Sequence, residues 1–128
     1  MTDPATMAYG RAEDLPLVRA FAREQALTAG LDAGSVEALA IAVSELVTNT
    51  LQHTSGGGRI RVWAENGSVF CEVADGGSVP GTPRAMPAPD AERGRGLAIV
   101  EMLCDDMTTV AGPGRGVVRL RFAIKPPA

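Results

Sequence analysis

The stretch ELVTNTLQH, residues 45–53, places three side chains capable of chemistry at four-residue spacing. Glu45, Asn49 and His53 would occupy an arc of about 80° on one side of an α-helix. A carboxylate in that position can accept a proton, and a carboxamide oxygen is a hard ligand that suits Mg²⁺ in the company of water and phosphate oxygens. His53 is the chain's only histidine, and no cysteine stands at metal-binding spacing from it, which argues against a zinc site.

The same stripe also has an ordinary interpretation as the solvated side of an amphipathic helix. Val43, Val47 and Leu51 lie on the opposite side, where they predict contact with a core. A solvated face usually pairs Lys or Arg with Glu at four-residue spacing, whereas Glu45 is the only charged residue within 45–53. Short hydrogen-bonding groups suit a polar cleft better than bulk water. Taken alone, the stripe leaves both interpretations open.

Two glycine-containing segments follow downstream. VADGG puts Asp75 at the end of an apolar run and ahead of Gly77, a pattern that also suits a simple strand-ending turn. ERGRGLAIV puts Gly94 and Gly96 directly before a helical pattern, where exposed N–H groups and the helix dipole favour an anion. A flexible helix start with solvated arginines is the alternative. The segment is neither a Walker A loop nor a Rossmann fingerprint.

The elements that would position these residues follow from periodicity. Residues 14–30 predict a first helix, with Asp14 as its cap, Pro16 in its first turn, Gly30 at its end, and an apolar side formed by Leu17, Val18, Phe21 and Leu27. Residues 31–54 predict a second helix that begins near 32–35, and 95–106 predict a short third one.

Strand patterns surround the later glycines. RIRVWAE and SVFCEVAD flank Asn66-Gly67, a strong hairpin signal, and MTTVAG and GVVRLRFAIK predict a second hairpin. The opening residues, 1–10, predict a frayed end or a short edge strand. The order of elements favours an α+β fold, a two-layer sandwich in which about three helices cover one face of a mixed, mostly antiparallel sheet.

Composition restricts the class of protein. With 128 residues, 45% hydrophobic content and a net charge of −3, the chain predicts one globular domain, 1–128, without a basic footprint for nucleic acid. No apolar run is long enough to span a bilayer. Cys71 and Cys104 predict reduced core thiols, and with no signal-like N-terminus they favour a cytoplasmic protein.

The order of the motifs resembles the nucleotide-binding domain of the GHKL ATPase superfamily, which histidine kinases, gyrase-type topoisomerases and MutL-like proteins share. The closest resemblance is to the small stand-alone bacterial anti-sigma-factor serine/threonine kinases. SELVTNTLQH is similar to the N box, VADGG to the first glycine box, GRGLAIV to the second, and GPGRGVVRLRF to the terminal Gly-x-Gly strand. The resemblance covers about residues 12–123 and implies binding of ATP with Mg²⁺.

Roles for individual residues are implied by this resemblance. Glu45 would be the general base and Asn49 the Mg²⁺ ligand, while Asp75 would accept a hydrogen bond from the adenine amino group and Gly77 would let the base pack closely. Residues 76–93 would form a lid over ATP. The other positions that the resemblance assigns to the nucleotide, near its phosphates, are His53, Arg93, Gly94, Arg95, Gly96 and Leu97.

Two activities remain open. The resemblance implies a kinase that phosphorylates an anti-sigma-factor antagonist and sequesters a sigma factor, and relatives of this kind commonly form homodimers. Two departures from the family pattern favour the alternative, a degenerate nucleotide-binding or docking module without catalysis. Val79 replaces the second glycine of the first glycine box, and Val117 replaces a threonine that many relatives carry.

Overall fold

A computed structural model describes residues 4–53, 57–75, 98–112 and 115–125. The expected lid, 76–93, lies outside them. The described elements, in chain order, are β1 (Ala5–Tyr9), α1 (Leu15–Ala29), α2 (Ala33–His53), β2 (Gly58–Glu65), β3 (Ser68–Asp75), α3 (98–103), β4 (Asp106–Gly112) and β5 (Arg115–Ala123).

The five strands form one sheet in the order β1-β2-β3-β5-β4, and all four pairings are antiparallel. The helices lie on one face of this sheet, so the α+β two-layer sandwich expected from the sequence is confirmed. Of the two interpretations of the opening residues, the edge strand is correct, since β1 pairs with β2. No helix in the described part of the chain is long and apolar enough to cross a membrane.

Helix α1 has the bounds that the sequence predicts but a different buried side. Pro16 lies in its first turn, and Gly30 ends it in the left-handed conformation with φ of 106°. Its buried residues are Val18, Ala22 and Ala26, whereas Leu17 and Leu27 are 60% and 63% exposed. Of the four apolar residues that marked this helix in the sequence, Leu17 and Leu27 therefore lie outside the core. Small alanines allow α1 to approach α2 closely, and the leucines fall on the outer side.

Asp14 also has a role other than the expected cap. Its carboxylate makes no capping bond to α1. It accepts hydrogen bonds instead from the backbone N–H groups of Gly10, at 2.8 Å, and Arg11, at 3.2 Å. These two bonds lower the pKa of Asp14, because they stabilise its ionised form. Asp14 therefore fixes the chain between β1 and α1.

Helix α2 is the longest element, with 21 residues, and it begins where Asp32 caps it. The Asp32 carboxylate accepts bonds from the Ser35 hydroxyl, at 2.7 Å, and from the Ser35 backbone N–H, at 3.3 Å. The residues of α2 that contact the core are Val36, Leu39, Ala42, Val43, Leu46 and Val47. The helix packs against α1 and against β2, β3 and β5. It is thus held on two sides, and no other described element packs on its third side.

The sheet supplies the other half of the core from alternate positions of its strands. The β2–β3 turn has positive φ at Asn66 (51°) and Gly67 (76°), as the Asn-Gly pair predicts. This turn fixes the register so that Ile60 and Val73 face the helices. The core-facing strand residues are Ile60, Val62, Val69, Cys71, Val73, Val118, Leu120 and Phe122.

The start of β2 requires glycine, because three backbone segments meet there. Gly57 has φ of 69°, and a β-carbon on it would overlap the carbonyl oxygen of Tyr9. A β-carbon on Gly58 would overlap the carbonyl oxygen of Ala74 and would lie 2.6 Å from the Tyr9 hydroxyl oxygen. Only residues without a side chain let β1, β2 and β3 close together at this edge.

Replacing Gly58→Ala should destabilise the fold by about 2 kcal/mol, because the added methyl group meets backbone rather than a flexible side chain. Urea unfolding followed by circular dichroism measures the loss. Gly10→Ala is the matched control, since nothing lies within 4 Å of its added β-carbon. Equal stability of the Gly58 variant and the wild type would contradict the close approach.

The two thiols should differ in reactivity. Cys71 is fully buried, and this burial raises the pKa of its thiol from 9.0 to about 12. Cys104 is only partly buried. Because the thiolate is the reactive form, a disulfide reagent at pH 8 should label Cys104 in the native protein and Cys71 only after unfolding. Rapid native labelling of the Cys104→Ser variant would contradict this.

Candidate functional site

The sheet topology brings the candidate residues to one end of the sheet, the end at which β2 begins and β3 ends. Asp75 ends β3 and pairs with Gly58, which begins β2 and also pairs with Tyr9 at the end of β1. Helix α2 ends at His53, a few residues before Gly58, so its C-terminal end lies near the same end of the sheet. The strand β5 begins at this end as well, since Val117 pairs with Ala74.

Helix α3, which follows the second glycine segment in the sequence, is attached to the sheet just after its C-terminal end. The residues just after α3 lie at the opposite end of the sheet, near the β2–β3 turn. There the Asp105 backbone N–H donates to the Arg121 carbonyl oxygen, and the Asp105 carboxylate accepts from the Ala123 N–H at 2.8 Å. The chain that leaves β3 at Asp75 rejoins the described structure at residue 98, and Val100 of α3 is fully buried. The C-terminal end of α3 is therefore fixed at the hairpin end of the sheet.

On α2, Glu45 and Asn49 lie one turn apart at the border of the core. Both are half-buried, and neither makes a hydrogen bond or an ion pair with another described residue. Their neighbours Leu46 and Val47 are buried in the core. A carboxylate and a carboxamide that are partly covered but without partners are free to bind a ligand, unlike residues that stabilise the helix through paired charges. The structure thus favours the cleft interpretation of the stripe.

The other expected contributors cannot be placed to the same degree. The backbones of His53 and Asp75 are described, at the ends of α2 and β3, but their side chains are not. The rest of the expected nucleotide-binding set lies outside the described residues, namely Gly77, Arg93, Gly94, Arg95, Gly96 and Leu97. The roles assigned to these residues by resemblance stay predictions.

Among the described residues no group of His, Cys, Asp and Glu could hold a metal ion by itself. Asn49 offers one carboxamide oxygen without a partner in the described structure, and Glu45 lies one turn away. This donor set fits Mg²⁺, which keeps several waters and takes its remaining ligands from phosphate oxygens. Mg²⁺ would then be held by Asn49 together with a nucleotide, rather than by the protein alone.

A pocket of about 330 Å³ lies beside the same helix, between its C-terminal half and the chain that joins β1 to α1. Thr48 and Gln52, which fall on the same side of α2 as Glu45 and Asn49, line it, and Arg11 lies on its other side. Asp14 holds the backbone of Gly10 and Arg11 in place. Sequence patterns did not indicate Arg11, because the contact joins segments far apart in the chain. The pocket extends the polar stripe of α2 beyond Glu45 and Asn49.

Comparison with known proteins identifies the family of the chain and supports its fold. Residues 10–122 match the sequence model of the family described as histidine kinase-like ATPase domain. The crystal structure of the RsbU and RsbW domains of Rv1364c from Mycobacterium tuberculosis is similar at a TM-score of 0.76 and 23% identity, over 99% of this chain and 34% of that one. The present chain therefore spans about a third of the length of that solved chain.

A second solved structure shows a more distant likeness. The histidine kinase AdeS of Acinetobacter baumannii has a TM-score of 0.56 and 11% identity, over 98% of this chain and 70% of that one. The search of curated proteins gave no match. The two structural likenesses show the fold, and the family match covers helix α2 and the strands that follow it.

Replacement of the unpaired polar residues should leave stability almost unchanged. Glu45→Gln and Asn49→Ala remove no hydrogen bond to a described residue, so each should change the free energy of unfolding by less than about 0.5 kcal/mol. Leu46→Ala, between them in sequence but in the core, should cost about 3 kcal/mol. Thermal unfolding measures all three, and a large loss in Glu45→Gln would mean that the residue is structural.

Proposed function

Because the chain belongs to the histidine kinase-like ATPase domain family, which implies ATP binding, we propose that it is a Mg²⁺-dependent serine/threonine protein kinase with a regulatory role. The observation that carries this proposal is the pair Glu45 and Asn49, which are half-buried and without partners in the described structure. They lie on the helix whose C-terminal end is at the same end of the sheet as Asp75, the last residue of β3. A proton acceptor and a hard metal ligand one turn apart suit phosphoryl transfer.

In the proposed reaction a serine or threonine hydroxyl oxygen attacks the γ-phosphorus of ATP. The bond from that phosphorus to the bridging oxygen breaks, ADP leaves, and Glu45 accepts the hydroxyl proton. Mg²⁺ would neutralise the phosphate charge, with Asn49 as a protein ligand. Since phosphoryl transfer needs mainly positioning and neutralisation of charge, these two residues and a phosphate-binding segment would suffice.

The proposal assigns the remaining family positions by motif. Asp75 would bind the adenine amino group beside Gly77, and His53 would lie near the phosphates. Residues 76–93 would close over the nucleotide as a lid. The N–H groups and positive charge of the second glycine box would contact the phosphates, through Arg93, Gly94, Arg95, Gly96 and Leu97.

The proposed partners follow from the resemblance to anti-sigma-factor kinases. The phosphate acceptor would be an antagonist protein, and the regulated protein would be a sigma factor that the kinase sequesters. The structural likeness to a protein with RsbU and RsbW domains supports a regulator of this kind. We further propose that it acts in the cytoplasm and that it forms a homodimer.

A second candidate function is supported by the sequence of the first glycine box. With Val79 in place of a glycine and Val117 in place of a threonine, the chain could bind partners without transferring phosphate. The pair Glu45 and Asn49 favours the kinase, because a module that only docks has no use for a proton acceptor beside a metal ligand. The two candidates differ in a direct measurement of transfer.

The test combines calorimetry with phosphoryl transfer from labelled ATP to the antagonist protein. The wild type should bind Mg-ATP and transfer phosphate. Glu45→Gln should slow transfer by about 10²–10⁴-fold and keep ATP affinity, because it removes the base and little of the binding surface. Asn49→Ala should weaken ATP binding in Mg²⁺ more than in EDTA, because it removes a metal ligand.

Glu37→Gln is the matched control, since Glu37 lies on the same helix in an exposed ion pair with Arg23. Its transfer rate should equal that of the wild type. ATP binding without transfer by the wild type would favour the docking module. Undiminished transfer by Glu45→Gln would exclude Glu45 as the base. Absence of ATP binding by the wild type, alongside a tight complex with a partner protein, would contradict the kinase and favour the docking module.

A further inference from the structure

The face of the sheet opposite the helices carries an organised cluster of arginines. Antiparallel pairing places Arg61, Glu72 and Arg119 side by side across β2, β3 and β5. Residues that are directly opposite each other share a face, and their strand neighbours Ile60, Cys71 and Leu120 are buried among the helices. The charged row therefore projects from the other side, on which no described helix packs.

Glu72 connects the arginines on its two sides. Arg119 donates to Glu72 Oε2 from Nε and Nη2, at 3.1 and 2.9 Å, and Arg61 donates to Oε1 at 3.3 Å. Glu72 is 8% exposed, whereas the side chains of Arg61 and Arg119 are 44% and 52% exposed. One carboxylate thus holds two guanidinium groups, which keep exposed donors and an unbalanced positive charge.

Trp63 supports the same two arginines from below. Its ring stacks on Phe70 with centroids 5.5 Å apart, and the guanidinium carbons of Arg61 and Arg119 lie 5.6 and 5.4 Å from its centroid. Trp63 is only 8% exposed although it lies on the open face. The arginines are therefore held in position before any ligand arrives, which reduces the side-chain entropy lost on binding.

Two further arginines extend this cluster along the strands. Arg59 lies two residues before Arg61, is exposed, and makes no hydrogen bond or ion pair with a described residue. Arg121 lies two residues after Arg119 and donates to Ser68 at 3.3 Å. We define the arginine face as Arg59, Arg61, Arg119 and Arg121. On this face Glu65 and Asp106 lie towards the hairpin edge, so the positive charge is concentrated at the centre and towards the start of β2.

We propose that the arginine face is a docking surface for an acidic, extended segment of a partner protein. The face carries four guanidinium groups and three carboxylates, but only that of Glu72 lies at its centre, since Glu65 and Asp106 lie at the hairpin end and Asp106 is directly opposite Arg121. Arg59, Arg61 and Arg119 therefore give the centre a net positive charge in a chain whose net charge is −3. Arg and Trp are also the side chains enriched where interfaces derive most of their affinity. Successive rows on the sheet are about 7 Å apart, which matches carboxylates at alternate positions of an extended segment.

This surface is separate from the proposed nucleotide site. The arginine face lies across the sheet from α2, and none of its residues belongs to the predicted ATP-binding set. Docking there would leave the polar stripe of α2 open. The inference does not depend on the proposed kinase activity, and the two are tested by different ligands.

The test uses the full chain and a fluorescein-labelled peptide of alternating Glu and Ser, with a Gln/Ser peptide as its uncharged counterpart. Fluorescence anisotropy at low ionic strength should show binding of the acidic peptide alone. Arg59→Gln/Arg119→Gln should weaken that binding at least about tenfold, because charge-assisted hydrogen bonds of this kind each contribute about one order of magnitude. Arg19→Gln/Arg23→Gln on α1, with the same change in net charge, should bind as the wild type does.

Arg59→Glu repeats the test at an exposed residue, where the substitution removes no hydrogen bond or ion pair with a described residue. ATP titrations with these variants should match the wild type. Equal peptide affinity in the two double variants, or no binding by the wild type, would overturn the proposal. Tighter binding of single-stranded DNA or of phosphatidylglycerol vesicles through the same arginines would also overturn it, as would sedimentation showing that the face joins two copies of this chain.

Discussion

Helix α2 divides its circumference between the core and a polar border, and the position of the candidate site depends on this division. Leu39, Val43 and Val47 are fully buried, which fixes the rotation of the helix over the sheet. Once that rotation is fixed, Glu45 and Asn49 can only lie at the border, half-covered and facing away from the apolar contact. The apolar packing therefore orients the chemistry. A change in the volume of these core residues would turn the polar stripe relative to β3, even though no polar residue had changed.

A second constraint acts at the end of the sheet where β2 begins, because Gly57 and Gly58 allow three strands to meet there. Without this close approach, β1 could not reach the start of β2, and the chain from β1 to α1 would leave the sheet at another place. The pocket beside Thr48 and the placement of Asp75 both depend on it. Gly57 and Gly58 therefore position the described site through the fold, whereas the glycines of the second glycine segment are expected to contact phosphate directly.

Local patterns predicted what local physics determines. The Asn-Gly turn, the glycine that ends α1 and the helical stripe of Glu45 and Asn49 all follow from backbone preference and periodicity. The exposure of Leu17 and Leu27 did not, because the buried side of α1 is decided by how closely α2 approaches its alanines. Nor could the sequence place Arg61 and Arg119 on either side of Glu72, since that requires the strand register. The features that the sequence did not predict, the buried side of α1 and the arginines beside Glu72, depend mostly on contacts between segments that are distant in the chain.

The Asn66–Gly67 turn has a practical consequence. Asp75 lies at the far end of β3 from this turn, about 24 Å away for a strand of this length. Both central residues already have positive φ, both are exposed, and nothing lies within 4 Å of a β-carbon built on Gly67. A fluorophore or a short affinity tag inserted at this turn would therefore report on, or immobilise, the protein without touching the helix that carries Glu45. The β2–β3 hairpin offers a built-in attachment point for single-molecule work.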